Sequence, residues 1–343
     1  MKNVCIAMSG GVDSSAAASL VRENFPACGG ITLTMLGSDG DIRNAADAAQ
    51  VCGKLSIPHA AVDCQDAFRR AVMDYFADAY ARGLTPNPCV VCNREIKFGF
   101  LLDEAVKRGY DGIATGHYAR ICRQGDRALV QKAADAGKDQ SYVLAMLTPE
   151  QLKYCVFPLG EYTKPQVREL AAERGFVTAR KSDSQDICFV PDGDYVGFLT
   201  RFTGISPTPG EYADEDGKIL GMHKGHQCYT IGQRKGLGIS MGRHIFVLSK
   251  DAASNRVTLG DADRLMHTRV LCTDLNLQAM DTLPDGYSCK VKLRYAHRES
   301  PARIWHTDKG ILIEFDTPQR APSPGQFAVL YEDDMVVGGA VIC

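Results

Sequence analysis

Apolar residues recur along this chain in two rhythms, and the change between them falls near residue 204. Before it, VCIAM (4–8), GGITLTM (29–35), HAAVD (59–63) and DGIAT (111–115) have the length and composition of short buried strands. The stretches between them, 13–24, 42–55, 65–82 and 93–108, carry apolar residues at the spacing of a helix with one buried face. Such alternation predicts a doubly wound parallel sheet wrapped by helices, with ligands at the carboxyl ends of its strands. Further helices are expected over 139–154, 164–175 and 194–203. Pro207, Pro209 and Gly210 then form a linker, after which KVKLRYA (290–296) and GILIEF (310–315) alternate with the period of strands. The fold class expected is therefore α/β plus β. An α/β domain spans 1–203, a small central module 204–262, and a C-terminal β-barrel 263–343. No targeting segment or transmembrane run is visible, so a cytoplasmic protein without a membrane partner is expected.

Composition changes this picture in two respects. Thirteen cysteines is a high and odd number, and in a reducing compartment they are free thiols, buried as small hydrophobes or engaged in redox or metal chemistry. The net charge of −2 argues against a uniformly basic nucleic-acid binder, yet the cations are segregated. Residues 218–256 hold Lys218, Lys224, Arg234, Lys235, Arg243, Lys250 and Arg256 against one acid, Asp251. Residues 290–303 add Lys290, Lys292, Arg294, Arg298 and Arg303 against Glu299. Two basic islands on a near-neutral protein suit either a local phosphate-binding surface or a merely solvated face.

Three segments carry candidate chemistry. Ser9-Gly10-Gly11-Val12-Asp13-Ser14-Ser15 lies between a strand and a helix. Paired glycines allow a turn whose N–H groups converge on an anion, and the helix N-terminus adds positive potential. No lysine follows, so this is not a Walker A loop. Thr85-Pro86-Asn87-Pro88-Cys89-Val90-Val91-Cys92-Asn93 is a stiff loop opening onto the 93–108 helix. With Asn93 as its N-cap, Cys92 would sit at the helix N-terminus, where thiolate is favoured over thiol. A structural zinc half-site is the alternative for Cys89 and Cys92, although no second CxxC occurs at zinc-ribbon spacing. In Lys181-Ser182-Asp183-Ser184-Gln185-Asp186-Ile187-Cys188-Phe189 a cysteine stands in a polar loop, where burial and nucleophilicity are both open to it.

Taken together, SGGVDSS, TPNPxxxCNxxIKF (85–98), ATGHYAR (114–120), KDQSYVL (138–144), ICF (187–189), YTIGQRKGLGI (229–239), SPGQFAVLY (323–331) and GGAVI (338–342) resemble the tRNA-specific 2-thiouridylase family. That family belongs to the N-type ATP pyrophosphatases, and the likeness runs over essentially the whole chain. By position, it implies an ATP site at Ala7, Met8, Ser9, Gly10, Gly11, Val12, Asp13, Ser14, Leu33 and Gly116. It implies Cys92 as nucleophile, Cys188 as persulfide carrier and Asp13 in a catalytic role. Contacts to the target base fall on Asn87, Pro88 and Cys89, and other tRNA contacts on His117, Lys138, Asp139, Gln140, Arg294, Tyr295 and Gln326. From sequence alone, Lys138-Asp139-Gln140 serves equally as a phosphate contact or as a helix cap. One departure stands out: Cys89 occupies a position where the family carries aspartate. The acidic insert after the second strand is also reduced, to LGSDGDIRN (36–44).

The resemblance implies adenylation of the 2-oxygen of a wobble uridine by ATP with Mg²⁺, then sulfur delivery from a persulfide on Cys188. Partners are tRNA and a sulfur-donor protein, and the cycle ends with Cys92 and Cys188 joined as a disulfide. The base leaves the anticodon stack to reach them. An alternative sulfur chemistry has Cys89, Cys92 and Cys188 holding a [4Fe–4S] cluster by three thiolates. Rival functions are an ATP pyrophosphatase acting on a small molecule and a nucleotide-binding regulator. Neither needs the cysteine pair or the basic β-rich tail.

Overall fold

The computed structural model describes residues 1–182 and 186–343, so the middle of the Lys181–Phe189 segment lies outside the described residues. Five parallel strands form the first sheet: β1 (Asn3–Ala7), β2 (Ala27–Thr34), β3 (His59–Asp63), β4 (Gly112–Ala114) and, following the hairpin β5 (Ala119–Gln124) and β6 (Arg127–Lys132), β7 (Cys155–Val156). Their spatial order is β3-β2-β1-β4-β7, so the strand order reverses about β1. Helices α1 (Val12–Asn24) and α2 (Asp39–Lys54) pack on this sheet. The predicted parallel sheet is thus present, and β1 ends at the topological switch point where such folds bind ligands.

Two predicted helices are single rods with a widened turn inside. The first runs through α3 (Gln65–Phe68), a π-helical turn (Arg69–Met73) and α4 (Asp74–Ala81). The second runs through α5 (Pro88–Cys92), a π-helical stretch (Asn93–Phe100) and α6 (Leu101–Lys107). This second helix starts earlier than predicted. Asn87, not Asn93, is the N-cap, and Pro88 occupies the first helical position, where its missing N–H costs nothing. Asn93 lies inside the rod and donates its side-chain amide to the Val143 carbonyl at 2.9 Å.

The continuous helix expected over 139–154 is absent. Ser141–Leu144 is a 3₁₀ turn, and α7 (Pro149–Leu152) starts afresh at Thr148, whose hydroxyl forms a capping box with Gln151. Pro149 cannot donate to a preceding turn, which stops one helix and starts another. Helices α8 (Lys164–Glu173) and α9 (Tyr195–Thr203) follow close to their expected positions.

The second half is all β. A four-stranded sheet of order β10-β11-β8-β9 is built from β8 (Gly210–Ala213), β9 (Ile219–His223), β10 (Phe246–Asp251) and β11 (Arg256–Gly260). Six strands then close into a barrel: β12 (Met266–Leu277), β13 (Tyr287–Lys292), β14 (Ser300–Thr307), β15 (Gly310–Arg320), β16 (Phe327–Glu332) and β17 (Met335–Ile342). Closure comes from the antiparallel β12–β17 pairing, which removes the free edges. The β5–β6 hairpin joins this sheet through β17. Val90, Phe98 and Tyr142 of the first half share one buried cluster with Phe327, Val329 and Tyr331 of the barrel. Among the described residues no helix is long and apolar enough to cross a membrane.

Candidate active site

β1 delivers the chain into the Ser9–Ser15 loop, which turns at Gly10 with φ +67°. A Cβ there would lie 2.4 Å from the Asn44 carbonyl oxygen of α2, so glycine is required twice over. At Gly11, the N-cap of α1, an added Cβ would meet only the Ser9 Oγ, at 3.5 Å. That is the open side of the loop. Serine hydroxyls hold the rest: Ser9 Oγ donates to Ser14 Oγ at 3.1 Å, and Ser14 and Ser15 both donate to the Gly11 carbonyl. Ala7 ends β1 and the buried Met8 follows it, while Leu33 stands half-buried near the end of β2.

The loop contains no lysine, but tertiary structure supplies two. Lys164, at the start of α8, donates to both Asp13 carboxylate oxygens, at 2.7 and 2.9 Å, and Tyr118 donates to the same carboxylate at 2.8 Å. Lys181 donates to the Gly10 carbonyl at 2.9 Å, to Asn44 Oδ1 at 2.8 Å and to Asp47 at 2.9 Å. Sequence reasoning missed both lysines and Tyr118. Lys181 stood at the edge of a candidate segment, whereas nothing local marked Lys164 beyond a helix start.

The loop after β4 connects this site to the cysteines. Gly116 packs so tightly on the first turn of α1 that a Cβ would lie 2.9 Å from both Asp13 C and Ser14 N. The next residue, His117, is buried; its Nδ1 pairs with Thr115 Oγ1 at 2.7 Å and its Nε2 faces Lys97 Nζ at 3.5 Å. A lysine ammonium only donates, so Nε2 faces it as an acceptor and Nδ1 carries the proton. Burial, with Lys97 adding to it, drives the His117 pKa well below the ordinary histidine value.

Cys92 and Cys188, 96 residues apart in sequence, are linked through aromatic packing. Phe189 inserts among Phe68, Phe76 and Phe198, with ring centroids 5.8, 5.3 and 5.0 Å away. The same buried cluster contains Cys92. Cys188, the residue before this anchor, is thereby held at the surface next to the cluster that contains Cys92. All thirteen cysteines are free thiols in this state.

The expectation of an acidic Cys92 is overturned. Cys92 is the last residue of a helical turn, not its entrance, and loss of water pushes its thiol up to about 12. Burial likewise raises Cys188 to about 11 and raises Cys89, while Lys97 opposes the shift at all three. Among the described residues no three His, Cys, Asp or Glu side chains are arranged to hold a metal ion.

The barrel clamps the loops that frame this cleft. Gln326 donates to the Thr85 carbonyl at 2.8 Å and to the Pro86 carbonyl at 3.3 Å, while the Thr85 N–H donates to the Pro324 carbonyl at 2.8 Å. Arg294 donates to the carbonyls of Ile231 and Ala321 and to Ser323 Oγ. Asp139 accepts from the Ala133 and Ser141 N–H groups and from Ser141 Oγ, which makes it a local cap. Gln140 accepts from the Tyr118 N–H at 2.9 Å, and Tyr295 donates to the Asp139 carbonyl at 3.1 Å. Asn87 and Pro88 begin α5, with Cys89 exposed beside them, and Lys138 precedes the Asp139 cap.

Fold and site together define an α/β domain with a glycine-rich strand-to-helix loop and cysteine-bearing segments, packed against a β-barrel. Family models match in three consecutive parts: a tRNA methyl transferase HUP domain over residues 2–192, a tRNA methyl transferase PRC-barrel domain over 197–261, and an aminomethyltransferase β-barrel domain over 270–342. The tRNA-specific 2-thiouridylase of Lachnoclostridium phytofermentans is 43% identical over 100% of this chain and 99% of its own length. That of Acetivibrio thermocellus is 43% identical over 99% of each. Among solved structures, the U34-tRNA thiolase of Methanococcus maripaludis aligns with 59% of this chain and 66% of its own, at 19% identity and a TM-score of 0.35, a likeness too slight to carry weight. The chain belongs to the tRNA-specific 2-thiouridylase family. ATP binding and a tRNA substrate go with that membership.

Proposed function

We propose that the protein is an ATP-dependent tRNA-uridine 2-sulfurtransferase that converts a wobble uridine to 2-thiouridine, releasing AMP and pyrophosphate. The observation that supports this reading is the Phe189 anchor, which seats the residue next to Cys188 in the same buried cluster as Cys92. A methyl transfer, as the family-model descriptions word it, would need no such cysteine pair.

MgATP is the co-substrate. The α1 N-terminus and the open face at Gly11 would receive the β- and γ-phosphates, and Lys164 and Lys181 stand near enough to balance their charge. Adenylation turns the uridine 2-oxygen, a poor leaving group, into the good leaving group AMP. Asn87, Pro88 and Cys89 would hold the extruded base. His117, Lys138, Asp139, Gln140, Arg294, Tyr295 and Gln326 would contact the tRNA directly or set the loops that do. A sulfur-donor protein would load Cys188 as the persulfide, which its exposed position permits.

The test is purified protein with MgATP, unmodified tRNA and a persulfide donor, followed by mass spectrometry of the nucleosides. The expected result is 2-thiouridine at the wobble position and pyrophosphate release that requires tRNA. Pyrophosphate release stimulated by a small molecule instead of tRNA would overturn the assignment.

A further inference from the structure

We propose that Lys97 is the charge partner of sulfur transfer, a positioning residue that faces the negative charge as it passes between Cys188, Cys92 and the departing sulfur. The inference rests on the sulfur-transfer reading above and adds a residue to it.

The geometry begins with the helix. At about 100° per residue, an α-helix would set residues five apart about 140° from one another around its axis. From Asn93 to Phe100 the backbone is π-helical; the Leu101 N–H donates to the Ile96 carbonyl, five residues back. This wider turn returns the fifth residue to nearly the same face, so Lys97 comes round beneath Cys92. Such turns are uncommon and concentrate at functional sites. Lys97 has no carboxylate partner among the described residues. Its neighbour is the acceptor nitrogen of a buried, neutral His117, which holds the ammonium without cancelling its charge. Cys92 lies one widened turn before it in the same rod, and its field opposes the effect of burial at Cys89, Cys92 and Cys188. Among the described residues it is the one cation acting on all three.

Sulfur transfer needs such a group. A persulfide anion on Cys188 enters the step. Cys92 attacks the Cys188 Sγ, forming the Cys92–Cys188 bond. The Sγ–S bond breaks with its electron pair on the terminal sulfur, which takes up the Cys92 proton and leaves as hydrosulfide. One negative charge is present throughout, and loss of water disfavours the anionic form most at the buried Cys92. Hydrosulfide then adds at C2 of the adenylated base, AMP leaves with the former 2-oxygen, and the hydrosulfide proton ends on N3. A persulfide donor supplies the sulfur, and a thiol reductant supplies the two electrons that reopen the disulfide.

The experiment compares wild type, Lys97→Gln and Lys97→Arg in two independent readouts. The first is single-turnover thiolation alongside tRNA-dependent pyrophosphate release. The second is the rate of Cys188 alkylation by iodoacetamide at about pH 8, followed peptide by peptide without ATP or tRNA. Lys97→Gln should slow thiolation by at least about tenfold while tRNA-dependent pyrophosphate release continues. Alkylation of Cys188 should slow by about tenfold, because removing an opposite charge raises the thiol pKa. Lys97→Arg should restore most of both. Unchanged alkylation in Lys97→Gln overturns the proposal, whether thiolation is kept or lost. Absence of tRNA-dependent pyrophosphate release in wild type would instead overturn the functional reading, and the alkylation comparison would still decide the role of Lys97.

Discussion

Gly10 and Gly11 are neighbours that answer to different constraints. Gly10 is held left-handed against the backbone of Asn44, whereas a side chain at Gly11 would touch only the Ser9 hydroxyl. Gly10→Ala should therefore lose stability, by about 1–2 kcal/mol from the backbone conformation alone and more from the clash. Gly11→Ala should unfold at the wild-type temperature but adenylate poorly, because its methyl group would stand where phosphate must approach. Thermal melts and pyrophosphate release separate the two, and equal loss of stability in both would contradict the distinction. The cysteines divide in a similar way. Cys188→Ser should abolish thiolation yet still release pyrophosphate with tRNA, since adenylation precedes sulfur delivery. Persulfide labelling should vanish from the peptide containing residue 188; a label persisting on another cysteine would mean the carrier has been misassigned.

Among the helices, strands and loops, the TPNP loop is fixed from both sides. Gln326 holds it from the barrel, and Lys250 of β10 reaches it from the middle module, donating to the Tyr229 carbonyl at 2.9 Å and the Leu84 carbonyl at 3.4 Å. Lys250 lies near the Tyr80 ring, and loss of water lowers its pKa from 10.5 to about 8. Between about pH 8 and 10.5 the unfolded chain holds a proton on this lysine that the folded protein has released, so raising the pH favours folding through this group. The unfolding free energy of wild type minus that of Lys250→Met should rise across that window. Subtraction removes the opposing effect of the buried thiols, which both proteins share. A flat difference would mean the ammonium is better solvated than its surroundings suggest.

Across the full chain, the α/β domain and the barrel behave as one body because they share a core and a sheet. Tyr142 donates to the Phe327 carbonyl at 2.9 Å, and Gln278 reaches back to the Leu144 carbonyl at 3.0 Å. The basic islands are thinner than their composition suggests. Arg243 and Arg256 pair with Asp261 and Glu211, Lys250 is half-buried and donates to carbonyls, and Arg294 is spent on carbonyls. Lys224, Arg234 and Lys235 remain exposed, with no carboxylate partner among the described residues. Neutralising these three together should weaken tRNA binding and reduce the slope of log affinity against log salt by about 1 for each phosphate no longer neutralised. ATP binding should not change. An unaltered salt slope would make them a solvated surface only.

Features set by a few neighbouring residues were legible before any folding was considered. Alternating apolar runs marked the parallel sheet, and paired glycines marked the tight turn between its first strand and first helix. These depend on backbone preference and burial over short stretches, so they are written locally. The same reasoning failed where a distant neighbour decides. It placed a helix across Pro149, missed the β5–β6 hairpin that the barrel sheet recruits, and expected an acidic Cys92. Thiol acidity depends on how much water the surrounding fold removes, which no nine-residue window contains. Long-range packing alone brings Lys164 and Lys181 to a loop that lacks its own lysine, and pins Cys188 near Cys92 through Phe189. Those contacts bridge up to 171 residues of chain, and their geometry exists only once the sheet, the aromatic cluster and the barrel have packed.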